Sequence, residues 1–290
     1  MACNSNQKNI EQSKPTIGET IKSGDLFAKK GFGQHFLLDL NLTAKIAKLG
    51  ELGANDVVFE IGPGPGGLTQ ALLESPAHKI IVIEKDPRFA LHLKNYFASD
   101  LGRLIVIEGD ALKLSLSQLM ADNGLTDYNG KIISNLPYNV GTALLVNWLH
   151  GAEAAWPMVL MFQNEVALRI CANVGQSAYG RLAILVAARC EARIGMHVPR
   201  LAFTPPPKVE SAVVVLREKS SRFEEIHALG KVTAAAFGQR RKMLRSSLSQ
   251  IGNSIALCEA ANIDPTSRAE VLSPEQFFAL ACAYKSASAV

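Results

Sequence analysis

The sequence is short of cysteine. It has five in 290 residues, Cys3, Cys171, Cys190, Cys258 and Cys282, an odd number with no C-x-x-C spacing. That argues against a disulfide framework and a zinc site, so no metal is expected, and a reducing, cytoplasmic compartment is the natural one. Cys171 and Cys190 read as small buried hydrophobes. No apolar run approaches the roughly 20 residues of a membrane span. The opening stretch, MACNSNQKNIEQSKPTIGET, lacks the apolar segment of a secretory signal. Strong charge is missing too: the net charge of +4 permits a nucleic-acid partner without requiring one. Repeats are absent. What remains is 48% hydrophobic and 19% charged, enough core for one large domain and a small one.

From Val57 onward, short apolar runs alternate with helix-like segments. The runs are VVFEI (57–61), KIIVIE (79–84), LIVIEGD (104–110), KIISNLP (131–137) and MVLMFQ (158–163). They are rich in Val and Ile and lack polar alternation, as strands buried on both faces do. Segments such as 87–98 and 140–150 between them are amphipathic. The repeated β-α-β pattern predicts a parallel sheet with helices on both faces. Later, YGRLAILVAARC (179–190) predicts a helix, ARIGMHV (192–198) a strand and SAVVVL (211–216) another. The prolines of FTPPPK forbid helix or central strand between these two. A hairpin at the sheet's edge follows, and seven strands in all. Beyond residue 217 only helices are expected, including RRKMLRSSLSQI and a last helix opened by a Ser273/Gln276 capping box. The expected organisation is a mobile tail (1–25), an α/β domain (26–217) and a small helical domain (218–290).

In EIGPGPGGLT, Gly62, Gly64 and Gly67 fall between the first strand and a helix. Glycine allows a sharp bend and close ligand approach, and the helix start offers free N–H groups. Glu84 ends the second strand, where a carboxylate can grip ribose hydroxyls. Up to this point a nicotinamide dinucleotide fits as well as any nucleoside. A second acid, Asp110, closes the third strand, where it can serve as a helix N-cap or as an acceptor for an adenine amine. Acids at two neighbouring strand ends resemble the layout that holds S-adenosylmethionine in class I methyltransferases, whose sheet has seven strands.

Asn135-Leu136-Pro137-Tyr138 ends the fourth strand at the same edge of the sheet. Its plainest role is a turn. Its chemistry suits more: an amide oxygen from Asn135 and a carbonyl from Leu136, aimed by the following proline, can accept hydrogen bonds from an exocyclic amine. Such an amine is a poor nucleophile because its lone pair is delocalised. Two acceptors favour a pyramidal nitrogen, and Tyr138 offers a face for a flipped base.

Taken with GFGQHFLLD upstream and FTPPPKVESAVV downstream, these motifs resemble the ribosomal RNA adenine N6,N6-dimethyltransferases of the bacterial small-subunit type. The resemblance runs from about Lys29 through the last helices. It implies methyl transfer from S-adenosylmethionine to two adjacent adenosines in the 3′-terminal hairpin of 16S rRNA, within the small ribosomal subunit or its precursor, by a monomer. It implies cofactor contacts from His35, Leu37, Gly62, Glu84, Asp110 and Asn135. Catalytic contacts to the base would come from Asn135, Leu136 and Tyr138, with Phe203 stacking opposite the tyrosine. The family usually has Asn where this chain has His35. Two rivals remain open: the 23S rRNA methyltransferases of macrolide resistance and a non-catalytic assembly factor of the same fold.

For RNA, Lys29 and Lys30 flank the cofactor mouth. Between Ile226 and Cys258 there is no acid, while Arg240, Arg241, Lys242 and Arg245 occur together. On a helix Arg241 and Arg245 share one face, suited to phosphates or simply to solvent.

Overall fold

The computed structural model describes residues 16–23, 35–239 and 241–288. Among the described residues nine strands form two sheets: β1 (Phe36–Leu37), β2 (Asp56–Ile61), β3 (Lys79–Glu84), β4 (Leu104–Glu108), β5 (Asn129–Asn135), β6 (Met158–Gln163), β7 (Cys190–Val198), β8 (Phe203–Thr204) and β9 (Ser211–Glu218). The main sheet has seven strands in the order β4-β3-β2-β5-β6-β9-β7. The pairs from β4 to β6 are parallel, and β9 is antiparallel to both β6 and β7. The late hairpin lies at the sheet's edge, as its sequence predicts, with β9 inside and β7 outermost.

The absence of polar alternation has a direct cause. In β2, Val57 and Phe59 face one apolar cluster while Val58 faces another, and all three are fully buried. Alternate side chains of a strand point to opposite faces, so a strand covered on both sides needs apolar residues throughout. Helices Leu40–Leu49, Gly67–Leu73 and Pro87–Tyr96 cover one face; Leu116–Asp122, Gly141–His150 and Arg181–Ala187 cover the other. Asp86 accepts from Arg88 N, capping a helix that has Pro87 in its first turn.

Chain order reverses at β2, whose neighbours are β3 and β5. Ligands of open α/β sheets bind at such a point, beyond the carboxyl ends of the strands.

From Ile226 on, the described residues are helical apart from turns and an isolated bridge between Met243 and Arg268. The capping box forms as expected: Ser273 N donates to Gln276 Oε1 at 2.9 Å and Gln276 N to Ser273 Oγ at 3.3 Å. The buried residues of this region, Leu229, Leu244 and Phe277 among them, belong to the same apolar cluster as Ile184 and Leu144 over the sheet. Tyr179 also bridges the two regions, its hydroxyl donating to Leu272 O at 2.8 Å.

Two expectations need correction. Ile17–Ser23 is a helix with Ile17 buried in the core, so the whole of 1–25 is not a loose tail. The segment 241–251 is not one helix either: the α-helix spans only Leu244–Ser247. Leu244 N donates to Ser267 O and Arg245 N to Pro265 O, so a neighbouring segment takes the donors that a longer helix would use. Among the described residues no helix is long and apolar enough to cross a membrane.

Candidate active site

A cavity of about 1130 Å³, counted out to its open mouth, lies at the carboxyl ends of β2 to β5. It brings together residues far apart in sequence: His35 and Leu37, the Gly62–Gly67 loop, Glu84 and Lys85, Asp110, and the Asn135–Tyr138 tetrapeptide.

The glycine loop is shaped by left-handed backbone at Gly62 (φ 66°) and Gly64 (φ 56°). A Cβ at Gly64 would lie 3.2 Å from the Phe36 ring. The loop is held by Glu84, whose Oε2 accepts from Gly64 N at 3.1 Å and Oε1 from Asp86 N at 2.8 Å. Each carboxylate oxygen can accept more than one hydrogen bond, so Glu84 has capacity left for hydroxyl groups. Burial raises its pKa, and the two backbone N–H groups oppose that rise. Behind it, Glu60 is 1% exposed and accepts from Thr69 Oγ1 at 2.7 Å. Burial, with a smaller push from the Glu84 charge, raises its pKa to about 8. Asp110 caps the turn after β4 through Leu112 N at 3.1 Å and pairs with Lys85 at 2.8 Å. Those two bonds, Lys85 first, lower its pKa. Both readings of Asp110, cap and pocket acid, thus have a physical basis in one place.

The tetrapeptide is fastened to that loop. Ser134, fully buried, donates from Oγ to Ile61 O at 2.7 Å and accepts from Ile61 N at 3.2 Å, joining β5 to β2 at their ends. Pro137 packs over Gly62. Pro137 O accepts from Val140 N and Gly141 N, which starts helix Gly141–His150. Among the described residues none hydrogen-bonds the Asn135 side chain, and the amide lines the cavity. Leu136 is 2% exposed, so its side chain belongs to the core and only its backbone can address a ligand. Tyr138 is half-buried, its hydroxyl 2.6 Å from Ser211 Oγ. Burial raises its pKa, with the Ser211 bond opposing.

Phe203 is not brought into this group. It is 2% exposed, paired with Leu37 across β1 and β8, and buried in the apolar cluster beneath the cavity. Stacking opposite Tyr138 would require it to leave that core. Lys29, Lys30 and Arg240 lie outside the described residues. Arg241, Lys242 and Arg245 are exposed on the turn and short helix. Sequence reasoning missed Lys85, Ser134 and Ser211; the run of acids marks the first, while nothing local marks the serines.

A seven-stranded sheet with one antiparallel strand, β9, between β6 and β7, and a cavity with two acids at neighbouring strand ends, define a class I methyltransferase. The sequence matches the family described as ribosomal RNA adenine dimethylase over residues 26–285. It is 52% identical over 275 residues to the ribosomal RNA small subunit methyltransferase A of Phenylobacterium zucineum (strain HLK1), covering 94% of each chain. It is 54% identical over 256 residues to the protein of that name from Caulobacter vibrioides, covering 88% of this chain and 96% of that one. The crystal structure of a dimethyladenosine transferase from Plasmodium falciparum matches with a TM-score of 0.70 at 27% identity, over 88% of this chain and 98% of that one. The chain belongs to the ribosomal RNA adenine dimethylase family.

Proposed function

We propose that this enzyme transfers methyl groups from S-adenosylmethionine to N6 of two adjacent adenosines in the 3′-terminal hairpin of 16S rRNA, giving N6,N6-dimethyladenosine. It would act as a monomer in the cytoplasm, on the small subunit or its precursor. Residues 26–217 would perform the chemistry and residues 218–290 would help to hold the RNA.

The residues present suit the cofactor. Two carboxylates at neighbouring strand ends face a cavity with apolar walls, and the loop beside them leaves no room for side chains. In this reading Glu84 takes the ribose hydroxyls, Asp110 the adenine amine, and Leu37, Gly62 and Asn135 line the remainder. When bound, the cofactor supplies an electrophilic methyl group.

Everything else falls to the chain. The Asn135 amide oxygen and the Leu136 carbonyl accept the two hydrogens of the target amine. That favours a pyramidal nitrogen with its lone pair directed at the methyl carbon. Tyr138 stacks on the extruded base and fixes its plane. No side-chain base is required, because methylation makes the amine acidic and its proton leaves to water.

The observation that supports this most is the shared cavity: the acceptor amide of Asn135 and the acids Glu84 and Asp110 line one wall-to-wall space. Nucleoside mass spectrometry of rRNA from cells with and without the protein tests it. Loss of dimethyladenosine from small-subunit rRNA is the expected result. An unchanged level overturns the reading.

A further inference from the structure

The phenol of Tyr138 is moored to a strand that is not its neighbour. Tyr138 follows the end of β5, and its hydroxyl oxygen lies 2.6 Å from Oγ of Ser211, the first residue of β9. In the sheet β6 stands between β5 and β9, so the side chain reaches past one strand to find its partner. Ser211 is a firm mooring. It is fully buried, and its strand is paired on both sides, with Ser211 opposite Gln163 of β6 and Val198 of β7. Tyr138 itself is half-buried on the cavity wall, in the turn that leads into helix Gly141–His150.

The direction of the bond follows from burial. Two hydroxyls share one hydrogen bond, so one of their protons goes elsewhere. Among the described residues Tyr138 is the only hydrogen-bond partner of Ser211 Oγ. If the phenol donated, the serine proton would be left in the interior without an acceptor, and buried donors in that state are rare and costly. Ser211 therefore donates and the Tyr138 oxygen accepts. Such a bond stabilises the phenolate, in line with the Ser211 contact opposing the rise in the Tyr138 pKa. The phenol keeps its own proton for the open side of the cavity.

The bond restrains the ring. Rotation about χ2 of a tyrosine is otherwise broad. The phenol oxygen lies on that rotation axis, so fixing it sets where the ring stands. Because the oxygen is conjugated with the ring, it accepts best near the ring plane, and the bond thereby favours one tilt as well. In the proposed mechanism this ring fixes the plane of the base, and with it the line from the amine nitrogen to the methyl carbon.

We propose that Ser211 is a positioning residue for methyl transfer: its buried hydroxyl holds the Tyr138 ring at the attitude in which the target base meets the Asn135 and Leu136 acceptors. This rests on the dimethyltransferase reading. It adds to that reading a residue 73 positions from Tyr138 that does not itself line the cavity.

Ser211→Ala, Tyr138→Phe and the double variant form a cycle. It is read by methylation of small subunits, by calorimetry with S-adenosylhomocysteine and by thermal melting. Each single change breaks the same tie and leaves an aromatic ring in place. In each, kcat is expected to fall by about 3- to 100-fold, between the worth of one hydrogen bond and that of a misplacement of roughly 1 Å. The double variant should be no slower than the slower single. KM for the RNA and S-adenosylhomocysteine affinity should stay within about twofold, the pattern of an interaction that counts only in the transition state. Tyr138→Phe should melt below the double variant, because it alone leaves the Ser211 proton unpaired. A kcat within about twofold of wild type in Ser211→Ala overturns the proposal. So does a double variant whose loss is the product of the two single losses, which would give the residues separate tasks. A fall in S-adenosylhomocysteine affinity equal to the fall in kcat also overturns it, since the serine would then only hold the fold together. Wild-type protein that transfers no methyl group to small-subunit rRNA overturns the underlying function, and this role with it.

Discussion

A side chain on Gly62 would crowd Pro137: a Cβ built there lies 3.0 Å from the proline Cγ and 3.2 Å from Cδ. The cofactor loop and the catalytic tetrapeptide of the proposed mechanism are therefore packed against each other, not merely adjacent. Gly62→Ala adds this tight contact to a left-handed φ of 66°. A strained backbone of that sort costs about 1–3 kcal/mol. The variant should melt at a lower temperature and lose both S-adenosylhomocysteine binding and methyl transfer. Retention of either within a few-fold would mean that the two segments are not coupled.

Asn135→Ala removes the proposed acceptor from a half-buried position at a strand end. Its fold should survive, as the side chain bonds to no described residue. Loss of one pre-oriented polar group in an active site costs about 10²- to 10³-fold in kcat. Single-turnover methylation of small subunits measures this. A change of only a few-fold would remove Asn135 from the chemistry.

Buried Glu60 makes stability depend on pH. Its pKa is about 8 in the folded chain against 4.5 as an ordinary value. Between those limits the folded state keeps a proton that the unfolded chain has released. Stability therefore falls as pH rises through that window, and the loss is complete above about 8. Glu60→Gln keeps an acceptor for Thr69 and cannot ionise. Its melting temperature should match the wild type near the low end of the window and exceed it by several degrees above the high end. A pH-independent difference would contradict this account.

Arg241 and Arg245 are exposed without a carboxylate partner at hydrogen-bonding distance among the described residues, although the Arg245 charge helps to lower the pKa of Asp264. If both contact phosphates, replacing both with Ala should weaken RNA binding. It should also flatten the plot of log affinity against log salt by roughly 1.4–1.8, the sum of two contacts. S-adenosylhomocysteine affinity should not move. An unaltered salt slope would take these residues out of the interface.

The sheet and the cavity were legible because their physics is local. Strands β2 to β6 announce themselves as Val- and Ile-rich runs, since both faces must be apolar. Glu84, Asp110 and Asn135 could be grouped because parallel strands deliver their ends to one edge. The misses came from distant partners. Strands β1 and β8 are two residues each, too short for any periodicity. The helix expected from Arg241 is cut short by carbonyls at Pro265 and Ser267. Phe203 was expected opposite Tyr138 on the family resemblance alone, yet its pairing with Leu37 turns it into the core. Ser211 shows no local sign that it will meet Tyr138, which lies 73 positions away.

The continuous apolar cluster that joins Leu229 and Phe277 to Ile184 has a bearing on how a target is chosen. Packed protein interiors transmit displacement instead of absorbing it. In the proposed reading the basic turn and the Asn135–Tyr138 tetrapeptide thus stand at a set span, like the two jaws of a caliper. In the proposed reading, an RNA gripped at Arg241 and Arg245 can present to Tyr138 only the nucleotides lying that far along its fold. Selection becomes a measurement of length in a folded ribosomal particle, with no letter of sequence read at the basic end.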